Sequence, residues 1–187
     1  MLDDLDRLGA PLFETPHGYL PTKATQLTVE PCDINHARLL VAKWHSRLPE
    51  TQRGPWKYAF RASFDGITYG VALWHNPSAR MLPSHWLELR RLAVAPDAPR
   101  FTASRMLGQM RRWFQIHEPE AEKLISYQDM EVHTGTIYRA AGWSVGYIST
   151  ARARDRTGFR PSGRMYRWNQ NEDAPDHAAK TRWEIDL

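Results

Sequence analysis

Hydrophobic positions along the chain fall into a legible succession of periods. After a Pro- and Gly-containing stretch with no sustained period (Pro11, Pro16, Gly18, Pro21), the segment Gln26-Leu27-Thr28-Val29-Glu30 alternates as a strand. Asp33 then offers an N-cap to a helix of about Ile34 to Arg47, with Ile34, Ala37, Leu40, Val41 and Trp44 on one face and Pro49 beyond its end. Trp56, Tyr58, Phe60, Ala62 and Phe64 alternate with mostly polar residues, and Asp65-Gly66 signals a hairpin into Ile67, Tyr69, Val71 and Leu73.

Trp86 to Val94 reads as a central strand and Thr102 to about Ile116 as a helix with Met106, Met110, Trp113 and Phe114 as its apolar face. A strand over Leu124 to Tyr127 follows, then a short helix of about Gly135 to Ala141 stopped by Gly142. Ser144 to Thr150 and Arg164 to Asn169 complete the strands. The pattern predicts one α/β (α+β) domain in the order β-α-β-β-β-α-β-α-β-β. An irregular arm occupies 1–23, the folded domain 24–170 and an acidic tail 171–187.

Size changes this picture little: 187 residues with 42% hydrophobic content suit one buried core. No apolar run approaches a membrane span and the N-terminus is acidic, so the expectation is a cytoplasmic protein without a membrane partner. A single cysteine, Cys32, excludes an internal disulfide and a Cys-based zinc cluster, and reads as a passive thiol.

The net charge of +4 matters less than its distribution. Arg152, Arg154, Arg156, Arg160, Arg164 and Arg167 crowd one segment against a single acid, Asp155, with Phe159, Tyr166 and Trp168 interleaved. Arginine forks and aromatic faces suit phosphates and bases, and a solvated charged hairpin accounts for the same pattern.

Candidate chemistry concentrates between Leu87 and Trp143. The helix opening at Thr102 has amides without intrahelical partners, with Arg100, Thr102 and Ser104 in the same turn, a group suited to a pyrophosphate. Simple capping by Thr102 or Ser104 is the structural alternative. The second loop brings Tyr127, Asp129, Glu131 and His133 after the neighbouring strand, with Tyr138 beyond. Asp129 or His133 can take a proton and Tyr138 can return one, or Asp129 forms a turn and His133 caps a helix. One histidine with scattered carboxylates is a weak ligand set, so no metal site is assigned, although His133 with Asp129 leaves a redox iron open. On the central strand Glu88 and Arg91 point to opposite faces if the strand is regular, and Asp129 is a candidate partner for Arg91.

Ile137-Tyr138-Arg139-Ala140-Ala141-Gly142-Trp143 resembles the helix end of the Gcn5-related N-acetyltransferase (GNAT) fold. That resemblance implies an acetyl-CoA or related acyl-CoA donor along Leu92, Ala93, Val94, Arg100, Thr102, Ala103, Ser104 and Arg105, and Tyr138 as acid to the departing thiolate. The usual pyrophosphate loop, Arg/Gln-x-x-Gly-x-Gly/Ala, is altered to Arg100-Phe101-Thr102-Ala103-Ser104-Arg105.

Leu87-Glu88-Leu89-x-Arg91-Leu92, Pro99-Arg100-x-Thr102-x-Ser104-Arg105, Leu124-Ile125-Ser126-Tyr127-x-Asp129 and His133-Thr134-Gly135-Thr136-Ile137-Tyr138-x-Ala140 together resemble the phage Mom-type DNA-modification proteins, with a looser match at Trp44-His45-Ser46. This implies N6-carbamoylmethylation of adenine in duplex DNA, protecting phage DNA from restriction in a host cytoplasm. Arg91, Ser104, Asp129, His133 and Tyr138 are then the catalytic candidates, and Arg152, Arg154, Arg156, Arg160 and Arg164 the DNA contacts. Trp44, Trp56, Tyr58, Trp74 and Trp86 are expected near the cleft that takes an extruded base. An ordinary N-acetyltransferase of a small amine, peptide or aminoacyl-tRNA, and a non-catalytic nucleic-acid binder, are the competing readings. A dimer is compatible with all three.

Overall fold

The computed structural model describes residues 20–45, 49, 51, 54–79, 81–151 and 178–187. Seven strands form one mixed sheet: β1 (Thr28–Pro31), β2 (Tyr58–Phe64), β3 (Ile67–His75), β4 (Trp86–Val94), β5 (Lys123–Asp129), β6 (Ser144–Ser149) and β7 (Lys180–Asp186). Their spatial order is β1-β2-β3-β4-β5-β7-β6. β4 and β5 are parallel and the other neighbours antiparallel. With α1 (Ile34–Trp44), α2 (Thr102–His117) and α3 (Thr136–Ala140), the chain order is the expected β-α-β-β-β-α-β-α-β-β.

Local chemistry accounts for the elements. Asp33 caps α1 by accepting from the His36 amide at 2.9 Å. The Asp65-Gly66 turn has φ of 50° and 80° at its two residues, the left-handed pair that a tight hairpin requires. Strand alternation splits the apolar residues between two cores. Phe60, Trp74, Leu87 and Leu89 meet Met106, Met110 and Phe114 of α2 on one face. Val71, Leu73 and Ala93 meet Ala37, Leu40 and Val41 of α1 on the other.

Two expectations change. The end of the acidic tail is a strand, because Thr181, Trp183 and Ile185 alternate with Lys180, Arg182, Glu184 and Asp186. Counting charge hid a period of two: the apolar set packs inward, and Lys123 meets both Glu184 and Asp186. The strand expected over 164–169 lies outside the described residues, and Lys180–Asp186 supplies the last strand of the order.

The second change concerns β4. Leu73 pairs with Arg91 but Trp74 pairs with Leu89, leaving Arg90 as an extra residue in a bulge. Alternation therefore slips by one, and Leu87, Leu89 and Leu92 all reach the α2 core despite the odd step. Glu88 and Arg91 consequently share a face instead of opposing one another. The buried Glu88 carboxylate accepts from Arg90 at 3.1 Å and from the Ser78 amide at 2.9 Å, which resolves the cost of a charge in a central strand.

Candidate active site

β4 and β5 pair only from Trp86↔Lys123 to Leu89↔Ser126. Beyond that rung, Arg90–Val94 keep their ladder to β3 and Tyr127–Asp129 keep theirs to β7. The two strands part, and the gap is a cleft of about 380 Å³. Leu89 to Val94 form one wall, Ser126 to Asp129 another, and His133 to Tyr138 close the third, with Trp44 and His45 from the end of α1 at the rim. The edge of β4 facing β5 carries backbone groups that no neighbouring strand takes up past Leu89, so an extended amide-bearing ligand has a ladder to join.

Tyr138 stands at the apex of the opening. Its ring stacks on Trp183 at 5.4 Å and meets Trp143 edge-on at 5.6 Å. Its hydroxyl lies 2.9 Å from Ser126 Oγ, and Ser126 Oγ lies 3.2 Å from the Leu89 carbonyl oxygen. A carbonyl only accepts, so the Ser126 proton points to Leu89 and the Tyr138 hydroxyl donates to Ser126. Burial raises the Tyr138 pKa above that of an ordinary phenol, and the Ser126 hydroxyl, when it turns its proton to the phenolate, acts in the opposite direction.

The loop before α3 is held by β7. Trp183 Nε1 donates to Gln128 Oε1 at 2.7 Å, and the Gln128 amide donates to the His133 carbonyl. Gly135 has φ of 74°, and a Cβ there would collide with the Trp183 ring. Glycine is therefore required both for its backbone and for its lack of a side chain.

His45 is the residue that sequence reasoning left without a role. Burial, then Arg91, then His133 depress its pKa, and a backbone hydrogen bond partly opposes them. The imidazole is neutral near pH 7 and faces the cleft. Its only sequence signal is the loose match at Trp44-His45-Ser46. Burial also lowers the Arg91 pKa, first among causes, with Arg90 adding to the effect and Glu88 opposing it.

The predicted site residues divide into two places. Arg91, Leu92, Ala93, Val94, Ala103, Asp129, His133 and Tyr138 line the cleft. Arg100, Ser104 and Arg105 line a second cavity of about 610 Å³ across the N-terminus of α2, together with Phe101, Arg112 and Lys23. Thr102 Oγ1 donates to the Pro99 carbonyl at 2.7 Å and Ser104 Oγ to that of Phe101 at 3.0 Å, while Arg105 Nε reaches the Leu27 carbonyl at 3.2 Å. Phe101 opens the helix at φ 69° with its ring largely exposed, a backbone region that favours glycine. Asp129 Oδ1 accepts from the Glu131 amide at 3.0 Å, which is turn geometry.

The expected aromatic surround is mostly elsewhere. Trp44 lines the cleft, whereas Trp74 is fully buried against Phe114, Tyr58 packs on Trp113 and Phe114, Trp56 meets His75, and Trp86 lies beneath Lys123 and Arg182. Tyr58 and Trp74 belong to the α2 core because strand alternation turns them away from the α1 face.

Among the described residues no three His, Cys, Asp or Glu side chains gather to hold a metal ion, and no helix is long and apolar enough to cross a membrane. The arginines at 152, 154, 156, 160 and 164 lie outside the described residues. The chain leaves the described structure after Ala151 and resumes at Ala178. Ser149 pairs with Lys180 and Lys180 with Asp129, so β7 stands between the end of β6 and the cleft residue Asp129.

No curated protein matches the chain at a significant level. Among solved structures it is similar to a Bacillus subtilis acetyltransferase in complex with CoA, with a TM-score of 0.56 at 12% identity, covering 86% of this chain and 99% of that one. It is also similar to the ribosomal-protein-S18-alanine N-acetyltransferase of Escherichia coli, with a TM-score of 0.52 at 13% identity over 86% and 94% of the two chains. A GNAT family acetyltransferase from Elizabethkingia anophelis with acetyl-CoA bound gives 0.50 at 14% identity over 87% and 99%. These likenesses establish the GNAT fold. The sequence model of the Mom protein family matches residues 26–180, and the chain belongs to that family.

Proposed function

We propose that this protein is a DNA-modifying transferase that uses an acyl-CoA or related donor to place a carbamoylmethyl or related acyl-derived group on the N6 amine of adenine in duplex DNA, and so shields phage DNA from restriction. The observation that carries the reading is a Mom-family chain whose splayed β4 and β5 open onto Tyr138, His45, Arg91, His133 and Asp129.

The residues present fit a long thioester donor. The edge of β4 past Leu89, which no strand covers, suits an amide-bearing arm, and the N-terminus of α2, which reaches the cleft at Ala103, suits its phosphates. Bound there, such a donor supplies an activated group and a thiolate as leaving group. In the cleft the attacking amine must lose a proton and the departing group must gain one. His45, held neutral, takes the first, with Asp129 and His133 beside it to orient the base. Tyr138 provides the second. Arg91 places positive charge where charge develops during transfer.

A base must leave the duplex to enter so enclosed a cleft, and that requires a firm hold on the flanking backbone. The strand that follows the arginine-rich segment in the chain starts at Lys180, which pairs with the cleft residue Asp129, and this supports assigning the segment to the phosphates.

The test is coexpression with a plasmid, followed by digestion to nucleosides and mass spectrometry. Modified deoxyadenosine is the expected result, and Asp129→Ala is expected to abolish it while donor binding persists in calorimetry. Unmodified deoxyadenosine with folded, soluble protein would overturn the reading. The structural neighbours favour one alternative, acetylation of a protein or small amine; it predicts acetyl transfer to a non-DNA acceptor and untouched plasmid.

A further inference from the structure

The wedge between β4 and β5 ends at one hydroxyl. Ser126 is the last residue of β5 paired to β4, is 2% exposed, and touches both the Leu89 carbonyl oxygen and the Tyr138 hydroxyl. Because the carbonyl can only accept, the phenol proton is directed at Ser126 and the phenol presents lone pairs elsewhere. A general acid whose proton points at a serine cannot deliver it without reorienting.

Taking the cleft to be the transfer site described above, we propose that Ser126 is a positioning residue that exchanges two hydrogen-bonding states with Tyr138. In the resting cleft it accepts the phenol proton, keeping a buried O–H satisfied. When a thiolate forms nearby, that charged acceptor outcompetes the neutral serine and the phenol turns to it. The Tyr138 O–H bond breaks, its proton passes to the departing sulfur, and the phenol oxygen keeps the electron pair. Ser126 then swings its own proton from the Leu89 carbonyl to the phenolate. The proton released by the attacking amine restores the phenol by way of His45 or solvent, so that one proton leaves the amine and one reaches the leaving group.

The surroundings leave this work to Ser126. Tyr138 is otherwise enclosed by Trp143 and Trp183. The titratable and charged groups that line the cleft beside it are Arg90 and Arg91 on β4, Tyr127 and Asp129 on β5, His45 at the end of α1, and His133 in the loop, while Glu88 on β4 pairs with Arg90 and Lys123 on β5 with Glu184 and Asp186. On α3 itself Arg139 lies over Trp183, and on β7 Arg182 is paired with Glu184. None of these adds to the shift of the Tyr138 phenol, whose causes are burial and Ser126.

The experiment compares Ser126→Ala, Ser126→Cys and Ser126→Thr in the full chain by DNA-modification kinetics and by ultraviolet titration of tyrosinate. Subtracting the Tyr138→Phe curve isolates the phenol in question. Ser126→Ala is expected to lower kcat about tenfold, with KM for the donor within about twofold, and to move the phenol titration up by about one pH unit. Ser126→Thr, which keeps the hydroxyl, is expected to restore both, and Ser126→Cys, with a weak donor of similar size, to fall between. Should one variant not fold, the remaining variants carry the same comparison. An unchanged phenol titration with wild-type kcat in Ser126→Ala or Ser126→Cys would overturn the proposal. So would a loss of kcat without a titration shift. Absence of DNA modification in every protein, wild type included, with the titration still shifted, would instead overturn the DNA reading and leave the Ser126–Tyr138 exchange standing.

Discussion

The Trp183 indole on β7 donates to Gln128 on β5 at 2.7 Å, and through Gln128 it fixes the carbonyl of His133. A residue near the end of the chain thereby sets the position of the cleft's third wall. Trp183→Phe keeps the ring that stacks on Tyr138 but removes the donor, leaving Gln128 with a buried unmet acceptor. It is expected to lower stability by about 1–3 kcal/mol in denaturant unfolding and to reduce DNA modification in proportion to loop displacement. Wild-type stability would show that the indole N–H carries no structural role.

Gly135→Ala tests the same wall from its hinge. The new methyl meets Trp183 and the Gln128 side chain at a residue with φ of 74°. Destabilisation of at least about 2 kcal/mol follows from steric overlap and left-handed strain combined. Gly142→Ala serves as the comparison, because its φ of 79° carries the strain with open space around the Cβ. Equal losses in the two variants would mean that packing on Trp183 contributes nothing.

His45 gives a pH dependence with a definite sign. Its folded pKa lies below the ordinary 6.5, first through burial and then through Arg91 and His133. The unfolded chain therefore binds a proton on this side chain where the folded protein does not. The stability is complete above about pH 6.5 and declines as the pH falls below it. His45→Gln is expected to flatten that decline in thermal melts, with His36, also depressed, unchanged in both proteins. Parallel pH slopes in variant and wild type would refute the assignment.

Cys32 supplies a control for folding. Burial first of all, with smaller opposing and reinforcing charges from Arg61, Asp33 and Glu30, pushes its thiol up to about 12. The native protein is expected to resist alkylation at pH 8 and to react once unfolded, because the thiolate is the nucleophile. Rapid modification of the folded protein would contradict the packing of Cys32 against the α1 core.

Much of the architecture was legible because it rests on short-range periodicity. The Asp33 cap, the Asp65-Gly66 hairpin, the Met106/Met110/Phe114 stripe and the Gly142 stop each need only a few neighbouring residues to be read. The strand at Lys180–Asp186 is masked in the sequence by its four charged residues, which alternate with the inward-facing Thr181, Trp183 and Ile185. Asp129, His133 and Tyr138 from the second loop and Arg91 from the central strand line one cleft, whereas Arg100, Ser104 and Arg105 line the other cavity at the N-terminus of α2, because successive positions around a helix start face different sides.

By itself the sequence determined the order of elements as far as β6, the family motifs and most of the polar residues around the cleft, since these follow from local period and residue type. Three relations were decided only by tertiary structure. The bulge at Arg90 turned Glu88 and Arg91 to a common face; the divergence of β4 and β5 after Leu89 and Ser126 opened the cleft; and the end of α1 brought His45 to Arg91 and His133. The first two depend on how strands register against one another, where a slip of one residue moves every side chain beyond it to the other face, and the third on how α1 packs across the sheet.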